Sequence, residues 1–343
     1  MKACVLETPA PVDSRPLRLR DVPVPTPRDD EPLVRVSACG ICRTDLHVVE
    51  GELPACLSPV IPGHQIVGRV AALGARVEGF DEGQRVGVAW LNRTCGVCRF
   101  CGAGRENLCE SPQFTDWTVN GGFAEYAVAP AAFTYPLPEG FGGTQAAPLL
   151  CAGIIGYRAL RLTGIGEREG GWAGARLGIY GFGAAGHMCI QLARARGAEI
   201  YVATRSRATS GAGFGAGGHV GRGRGGRASG ETRCGDNLRA GGQACAVALR
   251  ALDKGGVPVL GGIHMSDIPA FPYRLIYGER AVRSVANNTR DDGVSFSAKR
   301  PAFPSARIPK LFRWSVRTTP SSRSKVTPSK ARACSWWSKE ERG

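Results

Sequence analysis

The chain has 343 residues, of which 43% are hydrophobic, and this length is typical of two domains that each bury a core. It contains 13 cysteines and carries a formal net charge of +15. We find neither a secretory leader pattern nor an apolar run of membrane-spanning length, so the sequence predicts a soluble, cytoplasmic protein without disulfides. Its cysteines are therefore candidates for metal ligands.

The positive charge is concentrated in two segments. Residues 207–245 contain 6 Lys or Arg against 2 Asp or Glu, and residues 294–343 contain 12 against 2. These segments account for 14 of the 15 net charges, so the rest of the chain is almost neutral. The basic character is local and is not a property of the whole fold.

Three short segments in the N-terminal half contain candidate metal ligands. They read CGICRTDLH from residue 39, PGHQIVG from residue 62 and LLCAG from residue 149. Cys42, His64 and Cys151 offer two thiolates and one imidazole and leave a fourth position open, which is the arrangement of catalytic zinc. Spacing alone also allows Cys39 in place of Cys42.

A second cysteine cluster lies at residues 95–109, CGVCRFCGAGRENLC. Its C-x2-C-x2-C-x7-C spacing allows four thiolates to close tetrahedrally around one Zn²⁺ within a short loop. Because no position stays open, the predicted role is structural; an iron–sulfur cluster and free thiols are the alternatives. The four predicted ligands are Cys95, Cys98, Cys101 and Cys109.

Residues 176–204 predict a nucleotide site. An apolar strand is followed by GFGAAG, an amphipathic helix and a second strand. In this context Gly181 allows the tight turn, Gly183 lets the backbone approach a pyrophosphate, and Gly186 permits close helix–strand packing. The pyrophosphate would then lie at the N-terminus of the helix.

The end of the second strand bears on the choice of cofactor. It reads Thr204-Arg205-Ser206, without the carboxylate that would bind the ribose hydroxyl of NAD. Arg205 would suit the 2′-phosphate of NADP, which the sequence favours. Stacking of Arg205 on adenine, with NAD as the cofactor, is the alternative.

The segment 207–245 breaks this α/β pattern. A doubly wound sheet needs a further strand–helix unit here, yet the segment is rich in Gly and Arg and has no apolar run. One interpretation is an RGG-like arm that binds nucleic acid by charge and by stacking of bases on aromatic side chains. Phe214 is the one aromatic residue available for such stacking. We favour translation out of frame from a GC-rich gene. Trp336 and Trp337 support the same explanation for 294–343. Trp is encoded only by TGG, and TGGTGG contains the Val codon GTG in a neighbouring frame, so a shifted reading frame would give a Val-rich strand there.

Over about residues 1–206 and 246–293 the chain resembles the zinc-containing medium-chain alcohol dehydrogenases. The resemblance implies an α/β fold with a GroES-like β-barrel-type catalytic domain at 1–152. A Rossmann domain with a doubly wound parallel sheet would follow at 153–290, and the tail 291–343 would return to the catalytic domain. The two cysteine-containing sets described above match the family's catalytic and structural zinc ligands.

The resemblance also implies roles around the catalytic zinc. Asp45 would orient the imidazole of His64, and Thr44 and His47 would relay the alcohol proton outward through the cofactor ribose. A turn-capping Thr and a solvated surface His are the alternatives for the relay pair. Gln65 stands where the family commonly has Glu, so one charge near the zinc is missing.

Further positions match the family's cofactor contacts. Arg43 would contact the pyrophosphate, and Gly261, Gly262 and Ile263 would offer backbone groups to the nicotinamide carboxamide after a strand at Val257–Leu260. For the substrate, the candidate apolar pocket residues are Trp90 and Trp117, for which plain core packing is the alternative.

The predicted activity is reversible hydride transfer between a primary alcohol and its aldehyde, with two Zn²⁺ per chain and NAD(P). We expect a homo-oligomer (dimer or tetramer) with no membrane partner and no nucleic-acid partner. The alternative is a catalytically impaired relative, or a basic protein that binds nucleic acid through its Gly/Arg-rich segment.

Overall fold

The computed structural model describes residues 1–140, 142–203, 242–263 and 265–298, together with the backbone of four later residues. Arg205, Phe214 and the Trp336–Trp337 pair lie outside the described residues. The chain forms two compact units. One contains residues 1–154 and the described residues from 287 onward, and the other contains the described residues between 155 and 286.

The first unit is built on an antiparallel sheet of five strands, ordered β8-β3-β4-β5-β9. Separate antiparallel pairs are formed by β1 with β2 and by β6 with β7. The strands of this unit are β1 Lys2–Leu6, β2 Leu17–Asp21, β3 Pro32–Gly40, β4 Gln65–Leu73, β5 Arg85–Val88, β6 Leu91–Arg93, β7 Gln113–Phe114, β8 Tyr126–Val128 and β9 Thr134–Pro136.

Alternating apolar residues explain how this sheet buries one face. In β3, Val34, Val36 and Ala38 are buried and alternate with more exposed residues, as a half-buried strand requires. Val34 and Val36 pack against valines and an isoleucine from β4 and β5, so the centre of the sheet is rich in β-branched residues. Two candidate metal ligands lie near the ends of these strands, with Cys42 shortly after β3 and His64 directly before β4.

The helices of the first unit are short. They are α1 Arg43–Val49, α2 Arg99–Gly102, α3 Gly143–Ala146 and α7 Arg290–Ala298. At α7, Arg290 forms an ion pair with the buried Glu106 at 2.6 Å, and this contact ties the described start of the tail to the cysteine loop.

The second unit contains two parallel strand pairs among its described residues. β10 Arg176–Tyr180 pairs with β11 Glu199–Ala203, and β12 Val259–Leu260 pairs with β13 Arg283–Ser284. Its helices are α5 Ala184–Ala195 and α6 Gln243–Ala251, and α4 Ala152–Leu162 enters the unit from the first one. Two further short strands, β14 Arg313–Trp314 and β15 Ala333–Cys334, pair in parallel and belong to the first unit.

Burial differs between the two sheets. All four residues of β5 are buried, whereas β10 has one buried residue, Leu177, and β11 has one, Val202. Tyr201 of β11 is 42% exposed. Strands in the centre of a parallel sheet are normally buried on both faces, so this pair is poorly covered. The segment 207–245, where the sequence predicts no strand–helix unit, is described only from residue 242, and its last three residues begin helix α6.

Two candidate zinc sites and a candidate nucleotide site

The four cysteines of the 95–109 loop converge on one point. Their Sγ atoms all lie within 4.8 Å of one another, with separations of 3.5 Å (Cys95–Cys109), 3.6 Å (Cys98–Cys101) and 3.9 Å (Cys95–Cys101). A tetrahedral Zn²⁺ with Zn–S bonds of 2.3 Å requires sulfur–sulfur separations of about 3.8 Å. The loop therefore fits a single zinc ion, and the space between the sulfurs suits one ion better than a multi-iron cluster.

Backbone N–H groups point at these sulfurs and favour the thiolate form. The N–H groups of Cys98 and Cys95 donate to the Sγ atoms of Cys95 and Cys109 at 3.3 Å each, and Ser111 donates to Cys109 at 3.4 Å. Backbone N–H groups of Cys101 and Glu110 lower the pKa of Cys98 to about 6. Anionic sulfur is the form that binds a metal.

The second cluster joins three parts of the first unit. Cys42 is the N-cap of α1, His64 directly precedes β4, and Cys151 directly precedes α4. The Sγ of Cys42 lies 3.3 Å from His64 Nε2 and 3.8 Å from the Sγ of Cys151. All three atoms lie within 4.8 Å of one another. These separations suit one tetrahedral Zn²⁺, for which sulfur–nitrogen and sulfur–sulfur distances are about 3.6 and 3.8 Å.

Cys39 does not join this cluster. Its side chain is buried among Val34, Ile66 and other residues of the sheet core, and its Sγ lies 3.7 Å from the carbonyl of Gly40. Burial raises the pKa of the Cys39 thiol well above its usual range. Of the two sequence alternatives, the structure brings Cys42 to His64.

Cys42 and Cys151 are electrostatically unequal. A hydrogen bond from the Cys151 thiol, together with the nearby His64, holds the pKa of Cys42 well below that of a free thiol despite its burial. The same hydrogen bond and burial raise the pKa of Cys151. The shared hydrogen bond therefore favours one thiolate and one thiol in this pair, and a metal bound there would displace the remaining proton.

Two buried carboxylates face the far side of the His64 ring. Asp116 Oδ2 lies 2.6 Å from His64 Nδ1, whereas Asp45 Oδ1 lies 3.4 Å from the same nitrogen. Burial alone would lower the pKa of His64, but the charges of Asp116 and Asp45 outweigh it and raise that pKa. Gln65 is also buried and adds no charge.

Asp116 was not among the sequence-predicted residues. Asp45, which is predicted to orient His64, faces that ring with Oδ1, and its Oδ2 also accepts the backbone N–H of Cys42 at 2.6 Å and so caps α1. Asp116 lies in the FTDWTVNGG stretch, which carries no recognisable motif. Its contact depends on the turn after β7, which brings residue 116 under a histidine 52 positions earlier in the chain.

The predicted relay residues lie on one face of α1. Thr44 is half-buried and donates its backbone N–H to Cys42 Sγ at 3.3 Å. His47 follows three residues later, which places it next to Thr44 on the helix surface. Its ring is 3% exposed and its Nδ1 is paired with a carboxylate oxygen of Glu52, so His47 is not a solvated surface residue. Arg43, at the start of the same helix, is exposed.

The two predicted pocket tryptophans belong to an aromatic stack beside the cluster. Trp90 and Phe114 have ring centroids 4.4 Å apart, and Trp117 stacks on Phe114 at 5.5 Å. Trp90 Nε1 donates to Asp116 Oδ1 at 3.2 Å, and Trp117 Nε1 donates to the carbonyl of Pro54 at 2.7 Å. The stack therefore connects to His64 through Asp116.

The glycines of the 181–186 turn have distinct geometries. Gly181 has φ +92°, a conformation that strongly favours glycine, and its N–H donates to the carbonyl of Ala203 at 2.8 Å. A Cβ at Gly186 would lie 3.1 Å from the Gly181 carbonyl oxygen, so helix α5 packs closely on the turn. A Cβ at Gly183 would meet nothing within 4 Å.

Helix α5 begins at this open position. No side-chain hydrogen bond caps it at Gly183, so its first N–H groups can donate hydrogen bonds to an anion. The residues Gly261, Gly262 and Ile263 follow β12 and are exposed, with Ile263 at 46%. Arg205, the predicted reader of a 2′-phosphate, lies outside the described residues.

Comparison with known proteins gives consistent similarities. Residues 28–139 match the family model described as the alcohol dehydrogenase GroES-like domain. The chain is 44% identical over 302 residues to "Probable alcohol dehydrogenase AdhA" of Mycobacterium tuberculosis, and the match covers 86% of each chain. It is 40% identical over 201 residues to an alcohol dehydrogenase of Geobacillus stearothermophilus, a match that covers 58% of this chain and 57% of that protein.

Solved structures extend the similarity to the fold. The solved structure described as "a putative zinc-binding dehydrogenase" from Sinorhizobium meliloti 1021, bound to NADP, superposes with a TM-score of 0.69 at 26% identity. The superposition covers 88% of this chain and 89% of that one. The predicted fold class, a GroES-like domain with a Rossmann domain, is confirmed by these similarities. Among the described residues, no helix combines the length and apolar character needed to cross a membrane.

Proposed function

The chain belongs to the zinc-containing medium-chain alcohol dehydrogenase family, and from that membership we propose that it oxidises a primary alcohol reversibly to its aldehyde with NAD(P). The observation that carries this proposal is the convergence of Cys42, His64 and Cys151, which supply three ligands and leave a fourth position for the substrate oxygen. When bound there, Zn²⁺ supplies a Lewis acid that polarises this oxygen, and the nicotinamide carries the hydride.

The chain's own groups manage the alcohol proton. Thr44 is next to Cys42 in the first turn of α1, so its hydroxyl is the group that we assign to accept the proton of the bound alcohol. His47 lies one turn later on the same face. Because Glu52 engages Nδ1 of His47, the ring is fixed and Nε2 is the atom that we assign to proton transfer.

Cofactor binding is assigned to the second unit. The open position at Gly183 and the uncapped start of α5 support pyrophosphate binding, and the exposed backbone at Gly262 and Ile263 supports carboxamide binding. We propose that Arg205 reads the 2′-phosphate and that the cofactor is NADP. We also propose Arg43 as a pyrophosphate contact.

The remaining roles follow from the first unit. The four-cysteine loop is proposed to hold a structural zinc, which gives two zinc ions per chain, and Trp90 and Trp117 are proposed to line the alcohol pocket. We further propose that the protein is a cytoplasmic homo-oligomer, a dimer or a tetramer. Light scattering on the purified protein would measure its mass.

The test compares Cys42→Ala with Cys56→Ala. Cys56 is exposed and lies outside both cysteine clusters, so its substitution should leave two zinc ions and full turnover. Cys42→Ala should retain one zinc and lose alcohol-dependent reduction of NAD(P)⁺. Retention of both zinc and turnover in Cys42→Ala would contradict the catalytic assignment.

A further inference from the structure

Asp116 holds a fully buried position between His64 and Trp90. One carboxylate oxygen, Oδ2, accepts from His64 Nδ1 at 2.6 Å, and the other, Oδ1, accepts the Trp90 Nε1–H at 3.2 Å. The side chain has no solvent exposure. Because each oxygen has its own donor, the plane of the carboxylate is fixed at two points.

The backbone at Asp116 is in a conformation that few residues with side chains adopt. Its φ is +77°, in the left-handed region, where Asp and Asn occur more often than other non-glycine residues. The turn is held by the Asp116 N–H, which donates to the carbonyl of Val119 at 2.9 Å. Thr115 anchors it further through its N–H to the carbonyl of Trp90 and its hydroxyl to the carbonyl of Ala89, both at 2.8 Å. The surrounding hydrogen bonds thus maintain an unfavourable backbone that aims an acidic side chain at His64.

Asp45 is placed differently, although it faces the same ring. Its Oδ2 is committed to the backbone N–H of Cys42, and its Oδ1, at 3.4 Å from His64 Nδ1, makes no hydrogen bond to any described residue. The distance and the missing hydrogen bond show that Asp45 is a weaker partner for the imidazole than Asp116. The two carboxylates therefore have separate tasks, since Asp45 fixes the start of α1 and Asp116 fixes the ring.

We propose that Asp116 is the positioning residue that orients His64 for the metal, by holding the proton on Nδ1 and presenting Nε2 toward Cys42 and Cys151. This inference rests on the proposed function, because His64 needs a set orientation and tautomer only if it binds zinc. Partners that hold the second nitrogen of a ligating histidine typically change metal affinity or activity 10- to 100-fold when removed. Trp90 acts one step further out, since it fixes Asp116 through Oδ1.

Two substitutions separate positioning from general packing. Asp116→Asn keeps the size of the side chain but removes the charge, and its amide can satisfy only one of the two N–H donors. Asp116→Gly removes the side chain entirely, and glycine adopts φ +77° readily, so the turn itself is not strained. The matched control is Asp21→Asn, which makes the same change at an exposed aspartate. Asp21 forms an ion pair with Lys2 at 2.6 Å and belongs to neither cysteine cluster.

The measurement is the rate at which a chromogenic chelator removes zinc from the folded, fully loaded protein. We expect both Asp116 variants to release one zinc about 10- to 100-fold faster than wild type. The zinc of the four-cysteine loop should leave at the wild-type rate and so report that the first unit is still folded. In cobalt-substituted protein, the visible absorption bands of one site should shift in Asp116→Asn and remain unchanged in Asp21→Asn.

The outcomes distinguish this inference from the proposed function. Wild-type zinc release and an unchanged cobalt spectrum in both Asp116 variants would overturn the positioning role while the proposed function stands. A wild-type protein that binds both zinc ions without turning over alcohol would contradict the proposed activity, and the comparison of variants would still decide the role of Asp116. A wild-type protein that binds no metal at Cys42, His64 and Cys151 would overturn both.

Discussion

Replacing Gly183 with alanine should weaken cofactor binding without weakening the fold. The added Cβ would meet no atom within 4 Å, and φ at Gly183 is −94°, which alanine adopts freely. The methyl group would instead occupy open space beside the start of α5. If it prevents one charge-assisted hydrogen bond to the pyrophosphate, the loss is about 1.5–3 kcal/mol, or roughly 10- to 150-fold in Kd.

Gly186→Ala is the matched comparison, because the same methyl group is added three residues later. There the Cβ would lie 3.1 Å from the Gly181 carbonyl oxygen and 3.4 Å from Ile179 Cγ2, so the helix or the turn must shift. Overpacking of this kind costs about 1–3 kcal/mol of folding free energy, and the melting temperature should fall by several degrees.

The assay for both variants is a calorimetric titration with NAD and NADP beside a thermal melt followed by circular dichroism. We expect Gly183→Ala to melt like wild type and to bind cofactor weakly, and Gly186→Ala to melt lower. If Gly183→Ala bound both cofactors with wild-type affinity, the assignment of this turn to the pyrophosphate would be wrong.

Three further predictions concern other parts of the chain. Cys98→Ala should lose the zinc of the four-cysteine loop and melt at a lower temperature, because three thiolates close the loop less tightly than four. Metal analysis and a thermal melt would show both changes, and an unchanged melting temperature would argue against a structural zinc. Arg205→Ala should weaken NADP binding about 10- to 100-fold more than NAD binding, since one charge-assisted contact is worth about 1.5–3 kcal/mol. Equal losses for both cofactors in a titration would instead favour stacking of Arg205 on adenine. Limited proteolysis should cut within residues 207–245. Restoring the reading frame there and in 294–343 should raise stability and turnover together. Tight, salt-sensitive RNA or DNA binding that is lost on deletion of 207–245 would instead favour the nucleic-acid arm.

Local spacing explains why the metal ligands could be predicted. The four cysteines of residues 95–109 lie within one short loop, so their convergence depends on little beyond the loop itself. The glycine turn at 181–186 is equally local, since a strand, a turn and a helix follow one another directly. Cys42, His64 and Cys151 are distant in sequence; three short segments suggested them together, the family resemblance supported the set, and spacing alone left Cys39 open.

The partners of these residues could not be predicted in the same way. Asp116 reaches His64 only because the chain turns back after β7, and nothing in its neighbouring residues marks it as a partner of a histidine. Glu52, which engages His47, lies outside every motif for the same reason. The weak burial of β10 and β11 likewise depends on what covers them, and the sequence indicated only that the next strand–helix unit was missing.

The most direct test of the account is to measure zinc content and alcohol-dependent formation of NAD(P)H on one preparation of the purified chain. We expect two zinc ions per chain, slow turnover of a primary alcohol that rises when the reading frame of 207–245 and 294–343 is restored, loss of that turnover when a chelator removes the zinc of Cys42, His64 and Cys151, and recovery when Zn²⁺ is returned. A frame-restored preparation that contains both zinc ions and binds NAD(P), yet neither oxidises any of a series of primary alcohols nor reduces their aldehydes, would contradict the proposed activity.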